Sequence, residues 1–108
     1  MVTLLLNLQQ EMRIFSKRTL RIFWEEHPDA KEPLKSWFEE IEKAQWKSFN
    51  ELKSEFGNCS LVGNNRVVFN IKGNKYRLIV LINFVQKKTF IKFIGTHKEY
   101  NIVNAKNI

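Results

Sequence analysis

Arg77 stands in an otherwise apolar stretch, Tyr76-Arg77-Leu78-Ile79-Val80, and that setting imposes a chemical requirement. A guanidinium among aliphatic neighbours is costly to bury unless an anion pairs with it. The second half of the chain supplies a single acid, Glu99, so an external phosphate is favoured over an internal salt bridge as that anion. The planar fork of arginine donors grips a phosphate through two oxygens at once. Lys75 and Lys92 bring further positive charge, and either could serve as a base if neighbouring cations depress its pKa. His97 carries an imidazole, whose ordinary pKa of about 6.5 suits proton transfer near neutral pH. Tyr100 follows one turn later if a short helix begins at His97, adding a hydroxyl donor and an aromatic face.

The charge distribution supports an anionic ligand. The net charge is +7. Residues 1–56 hold nine Lys/Arg against ten Asp/Glu, whereas residues 57–108 hold nine against one, so the excess cation lies wholly in the second half. Such asymmetry favours nucleic acid or an acidic protein as partner. With two histidines and one cysteine, Cys59, a zinc site or an internal disulfide is not expected, and no metal or other cofactor is called for. The lone cysteine fits a reducing cytoplasm. Met1 to Leu6 is apolar but too short for a membrane span and lacks a basic leader, so no membrane partner is expected.

The elements that must position these residues follow from periodicity. Apolar residues make up 44% of 108 residues, enough for one core and one domain. Residues 1–11 read as a dispensable N-terminal extension and residues 12–108 as the domain. Met12 to Ser16 reads as a short edge strand. A helix follows from an N-cap at Ser16, with Leu20, Phe23 and Trp24 on one face, and stops at His27-Pro28. Leu34, Trp37, Phe38 and Ile41 repeat with helical spacing within a second helix over 29–44, and a third short helix covers Ser48 to Phe56. From Gly63-Asn64-Asn65 onward the pattern turns to strand: Val67–Lys72, Tyr76–Phe84 and Thr89–Thr96, joined as two hairpins. The layout is α+β, with helices packed on one face of a small, mainly antiparallel curved sheet.

Turn positions predict the register. A loop at Gly73-Asn74 sets Lys72 against Lys75 and Asn70 opposite Arg77. A second turn centred between Gln86 and Lys87 pairs Leu81 with Lys92 and Arg77 with Thr96. One face then carries Val67, Phe69, Ile71, Tyr76, Leu78, Val80, Ile82, Phe84, Ile91 and Phe93 for the helices to cover. The other carries Asn70, Lys72, Lys75, Arg77, Lys92 and Thr96 beside Val68, Ile79, Leu81, Phe90 and Ile94. A slip of one residue exchanges the faces.

The run from Gly63 to Val80, with Asn64-Asn65-Arg66 and Gly73-Asn74-Lys75-Tyr76-Arg77, resembles the central signature of HigB-family toxins. Gly95-Thr96-His97-Lys98-Glu99-Tyr100 is similar to that family's C-terminal motif, and Met12 to Ser16 with Trp24 and His27-Pro28-Asp29-Ala30 is similar to its N-terminal region. The resemblance spans Met12 to Tyr100. It implies a RelE-like fold and an mRNA interferase, acting on ribosome-associated message and silenced by a HigA-like helix-turn-helix antitoxin. Family members commonly carry Asp after the Tyr, where this chain has Asn101.

Cleavage without metal requires the RNA 2′-hydroxyl to attack the adjacent phosphate in line. A proton must leave the 2′-oxygen, charge on phosphorus must be stabilised, and the 5′-oxygen must be protonated. The catalytic set expected for this is His97, Arg77, Lys75, Lys92 and Tyr100, with Asn70, Lys72, Thr96 and Lys98 contacting RNA. Two other functions use the same basic face: a non-catalytic RNA-binding module, and an inactive toxin homologue holding an acidic partner. His27 is expected to be structural, the three Trp to pack in the core, and Gly73-Asn74 to be a turn.

Overall fold

The structure, a computed structural model, describes residues 11–108; the expectation about residues 1–11 therefore lies, but for Glu11, outside the described residues. β1 (Arg13–Phe15) is followed by α1 (Lys17–Glu26), a 3-10 turn (Pro28–Ala30), α2 (Lys31–Lys43) and α3 (Phe49–Glu55). Then come β2 (Cys59–Gly63), β3 (Arg66–Ile71), β4 (Tyr76–Asn83), β5 (Lys88–Thr96) and α4 (His97–Tyr100). The five strands form one sheet in the order β1-β5-β4-β3-β2, antiparallel except for β1, which lies parallel to β5. This is the α+β architecture the sequence predicts, with an additional strand. Among the described residues no helix is long and apolar enough to cross a membrane.

The helices follow their apolar spacing. Leu20 and Phe23 of α1, Leu34, Trp37 and Ile41 of α2, and Leu52 of α3 are buried against Val67, Phe69, Ile71, Tyr76, Leu78, Val80 and Ile82 of the sheet. Leu34 and Ile41 are 0% exposed, so truncating either to Ala is expected to cost about 2–5 kcal/mol. Ser48 caps α3 by accepting from the Glu51 N–H at 3.3 Å, which meets one of the unpaired donors of the first turn. His27 packs its ring on Phe23 at 4.3 Å, and Trp37 and Trp46 are buried, as expected for structural roles.

β2 is absent from the predicted layout. It pairs with β3 through the two-residue loop Asn64-Asn65, where φ is +51° and +61°. A tight hairpin needs that left-handed backbone at both loop positions, and Asn tolerates it better than most residues.

The β3–β4 register agrees with the prediction, Asn70 lying opposite Arg77. The β4–β5 register does not. Asn83 Oδ1 accepts from the Gln86 N–H at 2.9 Å, closing the loop one residue earlier than the assumed centre. Leu81 therefore pairs with Phe90 rather than Lys92. A β-bulge then leaves Lys92 without a partner between Ile91, opposite Val80, and Phe93, opposite Ile79. Beyond the bulge Arg77 faces Gly95 rather than Thr96, and the last residues of β5 exchange faces. Ile94 packs on the helix-side core and Phe93 joins the Arg77 face, the reverse of the expectation.

Candidate active site

The face of the sheet away from α1–α3 carries Arg66, Val68, Asn70, Arg77, Ile79, Leu81, Phe90, Phe93 and Gly95. At its β2–β3 side the C-terminal segment crosses it: Asn64 Nδ2 donates to the Lys106 carbonyl at 3.2 Å and the Arg66 guanidinium to the Ile108 oxygen at 2.7 Å. Val68 and Ile79 are buried on that side. Toward β5 and β1, among the described residues, the face lies open: Phe15 is exposed, and Phe90 and Phe93 are half-buried.

Arg77 sits at the boundary, half-buried. Its guanidinium donates to the Asn74 carbonyl at 2.9 Å and lies 5.8 Å from the Tyr100 ring centroid. Among the described residues it has no carboxylate partner within 4.0 Å. The Asn74 carbonyl, the Tyr76 carbonyl at 3.4 Å and the Tyr100 ring orient this cation, and among the described residues none of them neutralises it. A guanidinium carries five N–H donors, more than these contacts use.

Gly95 explains how Tyr100 reaches Arg77. A Cβ at position 95 would stand 2.5 Å from Phe93 Cζ and 2.9 Å from Glu99 Oε1, so the space above the strand belongs to that ring and that carboxylate. Glu99 is held there by a capping box. Its Oε1 accepts from the Thr96 N–H at 2.8 Å, and Thr96 Oγ1 accepts from the Glu99 N–H at 3.1 Å. The Thr96 backbone hydrogen bond, and then its side chain, hold the Glu99 carboxyl below the usual range. The box starts α4 at His97 and turns Tyr100 over Arg77. His97 is exposed, and its N–H donates to the Lys75 carbonyl at 3.3 Å, which ties the start of α4 to the β4 hairpin.

The structure thus brings Arg77, His97 and Tyr100 to one end of β4–β5, with Lys98 exposed beside His97 on α4. Lys92 is exposed at the bulge, farther along β5. Thr96 stands opposite Tyr76 rather than Arg77, and its hydroxyl is occupied as the N-cap. Asn70 shares the Arg77 face and donates through Nδ2 to Asn58 Oδ1 at 2.5 Å. Lys72 lies exposed in the hairpin turn, where its φ is +52°.

Lys75 has an anionic partner the sequence did not disclose. Its ammonium donates to Asp29 Oδ2 at 2.5 Å, and Tyr76 Oη donates to Asp29 Oδ1 at 2.5 Å. These two hydrogen bonds hold the Asp29 carboxyl below its ordinary value. The bond to Asp29 in turn raises the Lys75 pKa, opposite to the depression a lysine base requires. Burial, reinforced by Asp29, raises the Tyr76 hydroxyl. Among the described residues no group of three His, Cys, Asp or Glu side chains gathers where it could hold a metal ion.

Asp29, Tyr76, Glu99 and Gly95 are the positioning residues that sequence reasoning missed. Asp29 belonged to a predicted helix terminus, and its tie to Lys75 depends on how the 3-10 turn docks on the sheet. Gly95 was obscured by the register error.

The sequence pattern of the HigB toxin family, the RelE-like toxic component of a toxin-antitoxin system, matches residues 30–103. An Escherichia coli protein named mRNA interferase toxin HigB is 28% identical over 96 residues, covering 87% of this chain and 92% of that protein. The mRNA interferase HigB of Shigella flexneri matches to the same extent. A protein of the same name from another Escherichia coli strain is 30% identical over 92 residues, 83% of this chain and 89% of its own length. The match takes in α2, α3, the strands β2 to β5 and α4, and the chain belongs to the HigB toxin family, the RelE-like toxic components of toxin-antitoxin systems.

Proposed function

We propose that this chain is an mRNA endoribonuclease that cleaves without metal, by attack of the RNA 2′-oxygen on the adjacent phosphorus as the bond to the 5′-oxygen breaks. The observation that carries this reading is the orientation of Arg77, an unneutralised guanidinium fixed on the open face by Asn74 and Tyr100 beside the start of α4. Arg77 clamps the non-bridging phosphate oxygens and stabilises the charge that builds on them. His97 transfers a proton to or from the reacting oxygens. Tyr100 orients the guanidinium and offers a ring on which a base can stack. Lys92 and Lys98 add positive charge along the RNA path, and Asn70 and Lys72 extend it on the hairpin side. Lys75, held protonated by Asp29, contributes charge rather than acting as a base. The names of the relatives, mRNA interferases, support cleavage of mRNA as the activity.

The substrate is message on the ribosome, the compartment is the cytoplasm, and the silencing partner is a HigA-like helix-turn-helix antitoxin. Residues 12–108 suffice for activity. The test is to incubate translating ribosomes with the purified chain, with and without EDTA, and to map the RNA ends. Cleavage leaving a 2′,3′-cyclic phosphate and persisting in EDTA is expected. His97→Ala should lower the rate by about 10²–10⁴-fold with little change in RNA affinity. Cleavage that EDTA abolishes while ribosomes stay intact would refute the metal-free step, and an inert wild-type chain that still binds RNA would identify a binding module.

A further inference from the structure

The open face does not end at Arg77. Along β5 toward β1 the same side of the sheet carries a second group of residues. Phe15 of β1 stands beside Phe90 of β5, their rings stacked at 5.3 Å with 19° between planes. Phe90 is opposite Leu81, on the Arg77 side of β4. Phe15 is 38% exposed, unusual for a phenylalanine in a strand. Arg13, exposed, places its guanidinium 5.6 Å from the Phe15 ring centroid, and Arg13 in turn pairs with Lys88. Two aromatic rings and two cations therefore share one exposed surface at the sheet edge.

A core does not require this arrangement. Ile14, between Arg13 and Phe15, already packs inward against the buried cluster and anchors β1. The outward rings and cations have the composition of a surface that takes single-stranded nucleic acid, where bases stack on aromatic faces and cations follow the phosphates. Phe90 lies five residues along β5 from Gly95, the residue opposite Arg77, so about 16 Å separates the two regions, a length of a few nucleotides.

We infer that the Phe15–Phe90 pair, with Arg13 and Lys88, is a distal platform that stacks unpaired nucleotides of the RNA strand whose scissile phosphate lies at Arg77. The inference rests on the proposed reading of Arg77 and adds to it a second contact region on the same strand. Charge complementarity selects RNA as the occupant: among the described residues, the side chains paired beside the two rings, Arg13 and Lys88, are both cationic. The bases supply the π faces that an acidic peptide lacks.

The test measures fluorescence anisotropy of labelled 2′-O-methyl oligonucleotides, which lack the attacking hydroxyl, as a trinucleotide and as nonamers extended on either side. Wild-type protein should gain affinity with length. The double variant Phe15→Leu with Phe90→Leu should lose about tenfold of that gain on one side while binding the trinucleotide as before. Phe15→Tyr with Phe90→Tyr, which retains the rings, should keep it. Arg13→Gln should lower the salt dependence of nonamer binding by about one phosphate contact.

If the Leu variant, folded by circular dichroism, binds nonamers like wild type, the platform is refuted. If the Tyr variant loses as much as the Leu variant, stacking is refuted. Loss of antitoxin binding with RNA affinity intact would assign the surface to the protein partner and refute it as well. Arg77→Ala should weaken both lengths alike. If it weakens neither, the proposed role of Arg77 fails, while the comparison of Leu and wild-type proteins still decides the platform.

Discussion

Asp29 and Lys75, forty-six residues apart in sequence, form an ion pair of 2.5 Å that fastens the 3-10 turn to the β3–β4 hairpin. Through the Lys75 carbonyl, which accepts from the His97 N–H, the same hairpin holds the start of α4. Asp29 is thus a positioning residue two steps from His97.

The pair sets a pH dependence with a definite sign. The folded Asp29 pKa lies below its ordinary 3.8, so its contribution is fully present above pH 3.8 and is lost as pH falls through the folded value. The folded Lys75 pKa lies above 10.5, so its contribution is present below pH 10.5 and is lost as pH rises through the folded value. Thermal melts of wild type and Asp29→Asn should differ across the interval between and converge only below pH 3.8, as pH falls through the folded Asp29 value. A constant difference down to pH 2 would contradict this.

Arg77→Lys should fail to restore activity. A lysine keeps the charge but loses the planar fork and the face that meets the Tyr100 ring. Cleavage should fall by about 10²-fold or more in single-turnover assays. A Lys variant within a few-fold of wild type would show that a point charge suffices.

Gly95→Ala should be destabilising by about 1–3 kcal/mol, because the added Cβ meets Phe93 and the Glu99 carboxylate. Shortening the ring should relieve part of this, so the Phe93→Leu and Gly95→Ala double variant should be more stable than the two single changes sum to. Additivity in urea denaturation would mean that the ring moves freely aside.

Thr89 is 0% exposed, and its hydroxyl has no hydrogen-bond partner among the described residues. Thr89→Val removes a buried unpaired polar group from between Ile14 and Ile82 while keeping the branched shape. A gain of about 1 kcal/mol is expected in chemical denaturation. A loss would indicate a partner for the hydroxyl, such as an ordered water.

Local chemistry was legible in the residues alone. Helical spacing located α1, α2 and α3. Strand propensity and the Gly73-Asn74 turn fixed the β3–β4 pairing. An arginine in an apolar strand marked the candidate site, and charge asymmetry favoured a polyanionic partner. These are short-range properties, set by neighbours within a turn or a hairpin. The β4–β5 register was not legible, because it depends on how the Asn83 side chain closes its loop and on a bulge at Lys92. Each is a one-residue event, and a one-residue event reverses which side of a sheet a chain presents. Only the docking of the 3-10 turn decided that Lys75 belongs to Asp29, and only the parallel placement of β1 brought Phe15 to Phe90. Contacts between segments distant in sequence are selected by packing of the whole domain, for which a single chain of letters carries no local mark.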